Sequence, residues 1–276
     1  MPAFICTACG MQFAPTPQPP AQCPICEDER QYVPPAGQEW VTHEELARSN
    51  SNAWRQHEPN LFEIVTMPAF AIGQRALLVH TPAGNILWDC LSLVDAATIE
   101  LVKALGGIKA IAISHPHYYS CMVEWSHAFG GIPIHLHKAD REWVMRDDPV
   151  INYWEGDRKE LLPGLTLICC GGHYPGGTTL HWAAGAGGRG ALLSGDIVQV
   201  VQDRKTVSFM RSFPNFIPMS APAVERIVKA LAPFAFEVIY GAFPTRTIGK
   251  DGKRVLQKSA ERYLAYVCGD GSAELR

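Results

Sequence analysis

The chain has 276 residues, 47% apolar and 18% charged, with a formal net charge of -3 when histidines are neutral. That length and apolar content suit one large domain with a small appendage, not a disordered chain. The mild acidity argues against a nucleic-acid or membrane partner; no basic-then-apolar start reads as a secretion signal, and no run of 18 apolar residues offers a membrane span.

The nine cysteines include two CxxC pairs, which read as reduced thiols and a metal site in a cytoplasmic protein rather than a disulfide framework. Cys6-Thr7-Ala8-Cys9 is followed, after thirteen residues, by Cys23-Pro24-Ile25-Cys26. Each pair forms a knuckle that aims two thiolates at one point, and two knuckles complete a tetrahedral sulfur cage for structural zinc. Iron in the same cage and a redox pair are the competing readings. So short a segment buries too little apolar surface to fold alone, so the metal supplies stability. Pro34-Pro35-Ala36-Gly37 marks the boundary, giving a knob over 1–36 and a main domain over 37–276. Phe4, Phe13 and Tyr32 either dock the knob or belong to a separate recognition module.

In the main domain, Thr42 with Glu45 predicts a capped helix within Trp40–Glu58. His43, Trp54 and His57 read as packing or surface residues. Strands are expected over Leu61–Met67, Phe70–Ile72, Arg75–His80 and Asn85–Cys90. A helix over Val94–Leu105, ended by Gly106-Gly107, leads to a strand over Ile108–Ile113. A helix over Ser120–Ala128, a strand over Ile132–Leu136 and a helix over Lys138–Met145 follow. His127, His135 and His137 read as surface packing. Asp147–Gly164 reads as a turn-rich loop. Strands then run over Leu165–Cys170, Thr178–Ala183, Ala191–Ser194 and Phe236–Tyr240. Asp203–Pro218 is irregular, and helices cover Pro222–Ala232 and Ser259–Val267. Such interleaving implies sheets covered by helices.

The candidate chemistry lies at strand ends. Ser114 precedes His115 and His117, Gly172 precedes His173, and Gly195 precedes Asp196. In an extended backbone, alternation puts His115 and His117 on one side, and Pro116 stiffens the pair. Three neutral imidazoles hold a zinc-type ion with one position open for water or substrate. Asp196 is a fourth ligand or binds the water. Asp89, at the end of NILWD, is expected to support a ligand imidazole through its other ring nitrogen.

HPHYYS, GGHYPGG and LLSGD resemble the motifs of metallo-beta-lactamase-fold hydrolases over roughly Leu61 to Phe243. The paired cysteines resemble a rubredoxin-like or zinc-ribbon-like knob. The resemblance implies an α+β fold: a four-layer αββα sandwich of two mixed sheets, with the small zinc-binding knob at its N-terminus. It implies a complete first metal site at His115, His117 and His173. Tyr119 and Ser120 stand where that family has Asp and His of the second site. Ala242 stands where its last histidine falls, and Asp196 matches its bridging aspartate.

One catalytic-type ion is therefore expected besides the cysteine-bound one; both are zinc, or iron. The expected activity is mononuclear, zinc-dependent hydrolysis of an ester, thioester, amide or phosphoester in a small-molecule substrate. The alternative is a non-catalytic metal- or ligand-binding protein on the same fold. Asp196 and Tyr119 are the catalytic candidates. A phenol ordinarily titrates near 10, so Tyr119 acts as a base only beside a metal, and otherwise fills the space of the missing ion. Arg211 and Arg246 are candidates for an anionic substrate group.

Overall fold

The computed structural model describes residues 1–269, so the last seven positions of the expected main domain lie outside the described residues. The chain divides into two compact units, Met1–Trp154 and the segment from Glu155 onward.

In the first unit, β1 (Phe4–Cys6) pairs antiparallel with β2 (Trp40–Thr42). Thr42 then caps the helix His43–Ser49: its hydroxyl accepts from the Glu45 N–H while the Glu45 side chain accepts from the Thr42 N–H. A seven-stranded sheet follows in sequence order: β3 (Ser51–Glu58), β4 (Leu61–Met67), β5 (Arg75–Val79), β6 (Ile86–Trp88), β7 (Ala110–Ala112), β8 (Ile134–His137) and β9 (Ile151–Trp154). The first four are antiparallel neighbours, and β6 through β9 are parallel. Parallel neighbours need crossovers. The helices Ala96–Ala104 and Met122–Ala128 supply two of them. Because β6 and β7 run the same way, Asp89 and Ser114 emerge at one edge. Leu61, Ile64, Trp88, Ile111 and Trp125 are fully buried in this unit.

The second unit holds a six-stranded sheet. It runs β10 (Arg158–Leu162), β11 (Leu165–Cys169), β12 (Thr178–Trp182) and β13 (Ala191–Gly195), then the strands Val238–Gly241 and Thr247–Ile248. β10 to β13 alternate in direction, and Val238–Gly241 is parallel to β13. Consequently β11, β13 and Val238–Gly241 point the same way. The residues that follow them, including His173, Asp196 and Ala242, leave one edge. Ile168, Leu192, Ile197, Ile227, Phe236 and Leu256 form part of the core, with the helices Ala221–Leu231 and Gly252–Val267 packed into it.

Several expected elements differ. Phe70–Ile72 is a turn, not a strand, with Ala71 at φ 51°. Asp147–Gly164 contains all of β9 and β10 rather than a loop. Lys138–Trp143 is 3-10 helix, and Asp203–Pro218 carries short strands at Val207–Ser208, Met210–Ser212 and Ile217–Pro218. The last helix begins at Gly252, a full seven residues before Ser259.

Candidate metal centres

The first centre is the knob. Cys6 Sγ lies 3.6 Å from Cys26 Sγ, and Cys9 Sγ lies 3.6 Å from Cys23 Sγ. All four sulfurs fall within 4.8 Å of one another and all are buried. A tetrahedron with arms of about 2.3 Å has edges of about 3.8 Å, so the cage fits a thiolate-bound ion. It is far too open for disulfides, whose sulfurs sit about 2.05 Å apart. Gln38 donates to Cys6 Sγ at 2.8 Å. Hydrogen bonds from the other thiols, Cys23 foremost, hold Cys6 well below the ordinary thiol range, and the same contacts push Cys9 and Cys26 up.

The second centre begins after β7. The Asp89 carboxylate accepts the Ser114 N–H at 2.7 Å, and the Ser114 hydroxyl lies 3.0 Å from His115 Nδ1. Asp89 thus steadies His115 by way of Ser114. His115 is extended, as a residue before proline should be. The strand-like alternation expected beyond it does not occur, because Pro116–Tyr118 forms a 3-10 turn. That turn still brings the two imidazoles together, with ring centroids 5.1 Å apart. Tyr118 packs edge-on to His115 at 4.5 Å, and Tyr119 is fully buried beside it in sequence.

His173 sits in the loop after β11, which closes through Cys170 and Gly171 N–H groups donating to the Gly177 carbonyl. Gly172 has φ +84°, and a Cβ there would lie 2.9 Å from Ile227 Cδ1 and Met219 Sδ. Only glycine lets this loop lie so close to the helix Ala221–Leu231. His173 Nδ1 is 3.0 Å from the Met210 carbonyl. A carbonyl only accepts, so Nδ1 carries the proton and Nε2 is the ligand nitrogen. Met210 had no signal in the sequence as a supporting residue, since it acts through its backbone. Asp196 follows Gly195 at the end of β13 and is 3% exposed.

His115, His117, His173 and Asp196 form one group of buried residues whose ligand atoms all lie within 4.8 Å of one another. Imidazole and carboxylate donors suit zinc or iron. The other histidines have separate contacts: His43 Nε2 accepts the Val94 N–H, His57 pairs with Glu63, and His127 pairs with Asp148. His137 Nδ1 accepts the Ala139 N–H. Arg211 lies on the strand Met210–Ser212, next to the residue that orients His173. Arg246 closes the turn after Val238–Gly241, its N–H donating to Phe243 O and its carbonyl accepting from Gly241. Both are half-buried, and Ala242 is buried.

This architecture is that of the metallo-beta-lactamases. The DIM-1 metallo-beta-lactamase is similar over 78% of this chain and 98% of its own, with a TM-score of 0.59 and 12% identity. The SMB-1 metallo-beta-lactamase matches over 80% and 98%, with a TM-score of 0.55 and 14% identity. The metallo-beta-lactamase from Hirschia baltica matches over 77% and 97%, with a TM-score of 0.53 and 18% identity. At those identities the likeness is one of fold. No family model matches the chain. The chain belongs to the same family as the uncharacterized protein YmaE of Bacillus subtilis (strain 168), with 46% identity over 266 residues and 96% of each chain covered.

Proposed function

We propose that this protein is a metal-dependent hydrolase with one ion, zinc or iron, at its histidine centre. The observation that carries the reading is the convergence of three imidazoles and one carboxylate, all buried, within 4.8 Å. The fold shared with metallo-beta-lactamases supports it.

His115, His117 and His173 would hold the ion, with Asp196 as a fourth ligand or a partner of the attacking water. An ion there supplies Lewis acidity and lowers the pKa of water. Asp89 with Ser114 fixes the His115 ring, and the Met210 carbonyl fixes the His173 tautomer. A carboxylate oxygen of Asp196 would take a proton from water as the water oxygen bonds to the carbonyl carbon or phosphorus, and would return that proton to the leaving-group atom as its bond to that carbon or phosphorus breaks. Tyr119, buried two residues after His117, would relay a proton beside the ion or fill the space of the missing second ion, and Arg211 and Arg246 would receive an anionic part of a small-molecule substrate. The cysteine cage holds structural zinc in a knob spanning 1–36, joined to a catalytic domain over 37–276. The four cysteines gathered as a metal cage, which calls for reduced thiols, support a cytoplasmic setting. No helix among the described residues is long and apolar enough to cross a membrane.

The test is metal counting by elemental mass spectrometry, together with a panel of chromogenic esters, thioesters, anilides and phosphodiesters. The wild type should carry two ions per chain and hydrolyse one class of substrate. His173→Ala should lose one ion and the activity while keeping the cysteine-bound ion. A fully loaded protein inert toward the whole panel would overturn hydrolysis. The second reading, a metal-binding protein that does no chemistry, would then stand. Ala242 and Ser120, at positions where the resembling family has second-site histidines, already favour a single ion.

A further inference from the structure

The cysteine cage and the histidine loop are joined by a short covalent and hydrogen-bonded route within the first unit. Gly10 directly follows Cys9, and Gln12 comes two residues later. The knuckle is closed by Gly10 N–H donating to Cys6 O and Cys6 N–H donating to Met11 O, both at 2.9 Å. Gln12, only 2% exposed, spends every polar group but its carbonyl on the segment after the histidine pair and that segment's own partner. Its N–H donates to Ser120 O at 3.3 Å. Its side-chain Nε2 donates to Glu124 Oε1 at 3.3 Å, and its Oε1 accepts from Arg146, which also pairs with Glu124 at 2.6 Å.

Ser120 needs this hold. It has φ +42°, a conformation that costs a non-glycine residue of order 1 kcal/mol or more. It lies three residues after His117, at the join between the 3-10 turn and the helix Met122–Ala128. Its hydroxyl is gripped from the other side by Gln74 Nε2 at 3.0 Å, which also donates to Cys90 O. Gly10 adds a second tie: its carbonyl accepts from the Ser92 hydroxyl at 2.8 Å. The approach is so close that a Cβ on Gly10 would sit 2.6 Å from that oxygen.

We propose that the knob is a clamp on the histidine centre, with Gln12 as its positioning residue, so that occupancy of the cysteine cage sets how tightly the histidines hold their ion. This rests on the metal-centre reading above and adds its regulation. A cage emptied of metal lets the knuckle open. Gln12 then withdraws from Ser120 and Glu124, and the turn carrying His117 loses one of its two supports. Groups bonded directly to a ligating imidazole are typically worth 10–100-fold in metal affinity, and Gln12, which acts one step further out through Ser120, belongs at the low end of that range.

The test uses the full chain with cobalt(II) as the probe. Thiolate-to-cobalt charge-transfer bands in the near ultraviolet report the cage, and the visible ligand-field bands of the nitrogen and oxygen site report the histidines. Gln12→Met keeps the volume and removes both side-chain bonds. It should leave the thiolate bands intact and weaken cobalt binding at the histidines about tenfold. Amide hydrogen exchange over 115–124, measured without metal at the histidines, should quicken in the same variant. Gln18→Ala, in the exposed part of the knob, should change neither. Unchanged histidine-site affinity in Gln12→Met, with the cage full, overturns the clamp. A wild type that takes up no ion at the histidines overturns the metal-centre reading instead. The exchange rates then decide the clamp alone: unchanged protection over 115–124 rejects it.

Discussion

At the scale of single residues, the histidine centre is held by atoms one step behind its ligands. The Ser114 hydroxyl is buried and lies against His115 Nδ1, while its N–H is fixed by Asp89. A ligating imidazole whose other nitrogen loses its partner rotates more freely and becomes less basic, costing typically 10–100-fold in metal affinity. Ser114→Ala should therefore weaken binding at the histidines by that factor, read by competition with a chromophoric chelator. Ser126→Ala is the control: that hydroxyl is equally buried, but it donates to Ile132 O and touches no candidate ligand. Equal affinities in Ser114→Ala and the wild type would show that the hydroxyl does nothing for the ring. Asp89 was legible in the sequence as a support because a carboxylate ending a buried strand needs a partner. Its use of Ser114 as intermediary depends on β6 and β7 lying parallel, which the residues themselves do not announce.

Among the elements, β3, β4 and β5 are riveted by a buried charge cluster. The Glu63 carboxylate accepts from Arg75 at 2.6 Å and lies 3.2 Å from His57. Burial alone would raise the Glu63 pKa, but hydrogen bonds from His57 and Arg75 and their charge outweigh it and hold it at about 2. A depressed carboxyl pKa stabilises the fold above the unfolded value of about 4.3, and that share is lost as pH falls toward 2. Glu63→Gln deprives the fully buried Arg75 of its carboxylate and should cost on the order of 3 kcal/mol. Its unfolding free energy should also vary less between pH 4.3 and 2 than that of the wild type, as urea titrations would show. Parallel slopes in both proteins would mean Glu63 is not the acid-sensitive group. Thr42→Ala should cost about 1 kcal/mol by removing half of the capping box. That cap was readable because T-x-x-E is a local device. The strands β9 and β10 were not: both lie at sheet edges, where polar residues blunt further pairing, so RKELL is largely charged, and INYW, though rich in aromatics, is only four residues long between the polar segments 146–148 and 155–157. The helix start at Gly252 was hidden by the charged turn Gly252–Arg254, and the 3-10 turn at Pro116 by a proline that fits extended and helical φ alike.

For the molecule as a whole, the cysteine cage bears on stability as well as on the site. The knob contributes β1 to a two-stranded pairing with β2 and buries Ile5 and Ile25 completely, yet it has few other apolar residues to fold around. An ion bound to the folded cage and not to the unfolded chain stabilises by RT ln(1 + [L]/Kd), about 4 kcal/mol at a thousandfold excess over Kd. For a unit of this size, each kcal/mol moves the melting point by roughly 2–4 °C. Stripping the cage should therefore lower the transition that includes the first unit by roughly 8–16 °C. Both centres would be emptied by a strong chelator, so the measurement belongs in His173→Ala, where the histidine ion is already gone and the remaining shift is the cage's own. The second unit's core, built on Leu192, Ile227 and Leu256, contains no cage residue and should keep its own hydrogen-exchange protection through the treatment. Loss of the cage ion in that variant with no fall in melting temperature would mean that the knob folds on its apolar contacts alone. The thiolates would then serve something other than stability.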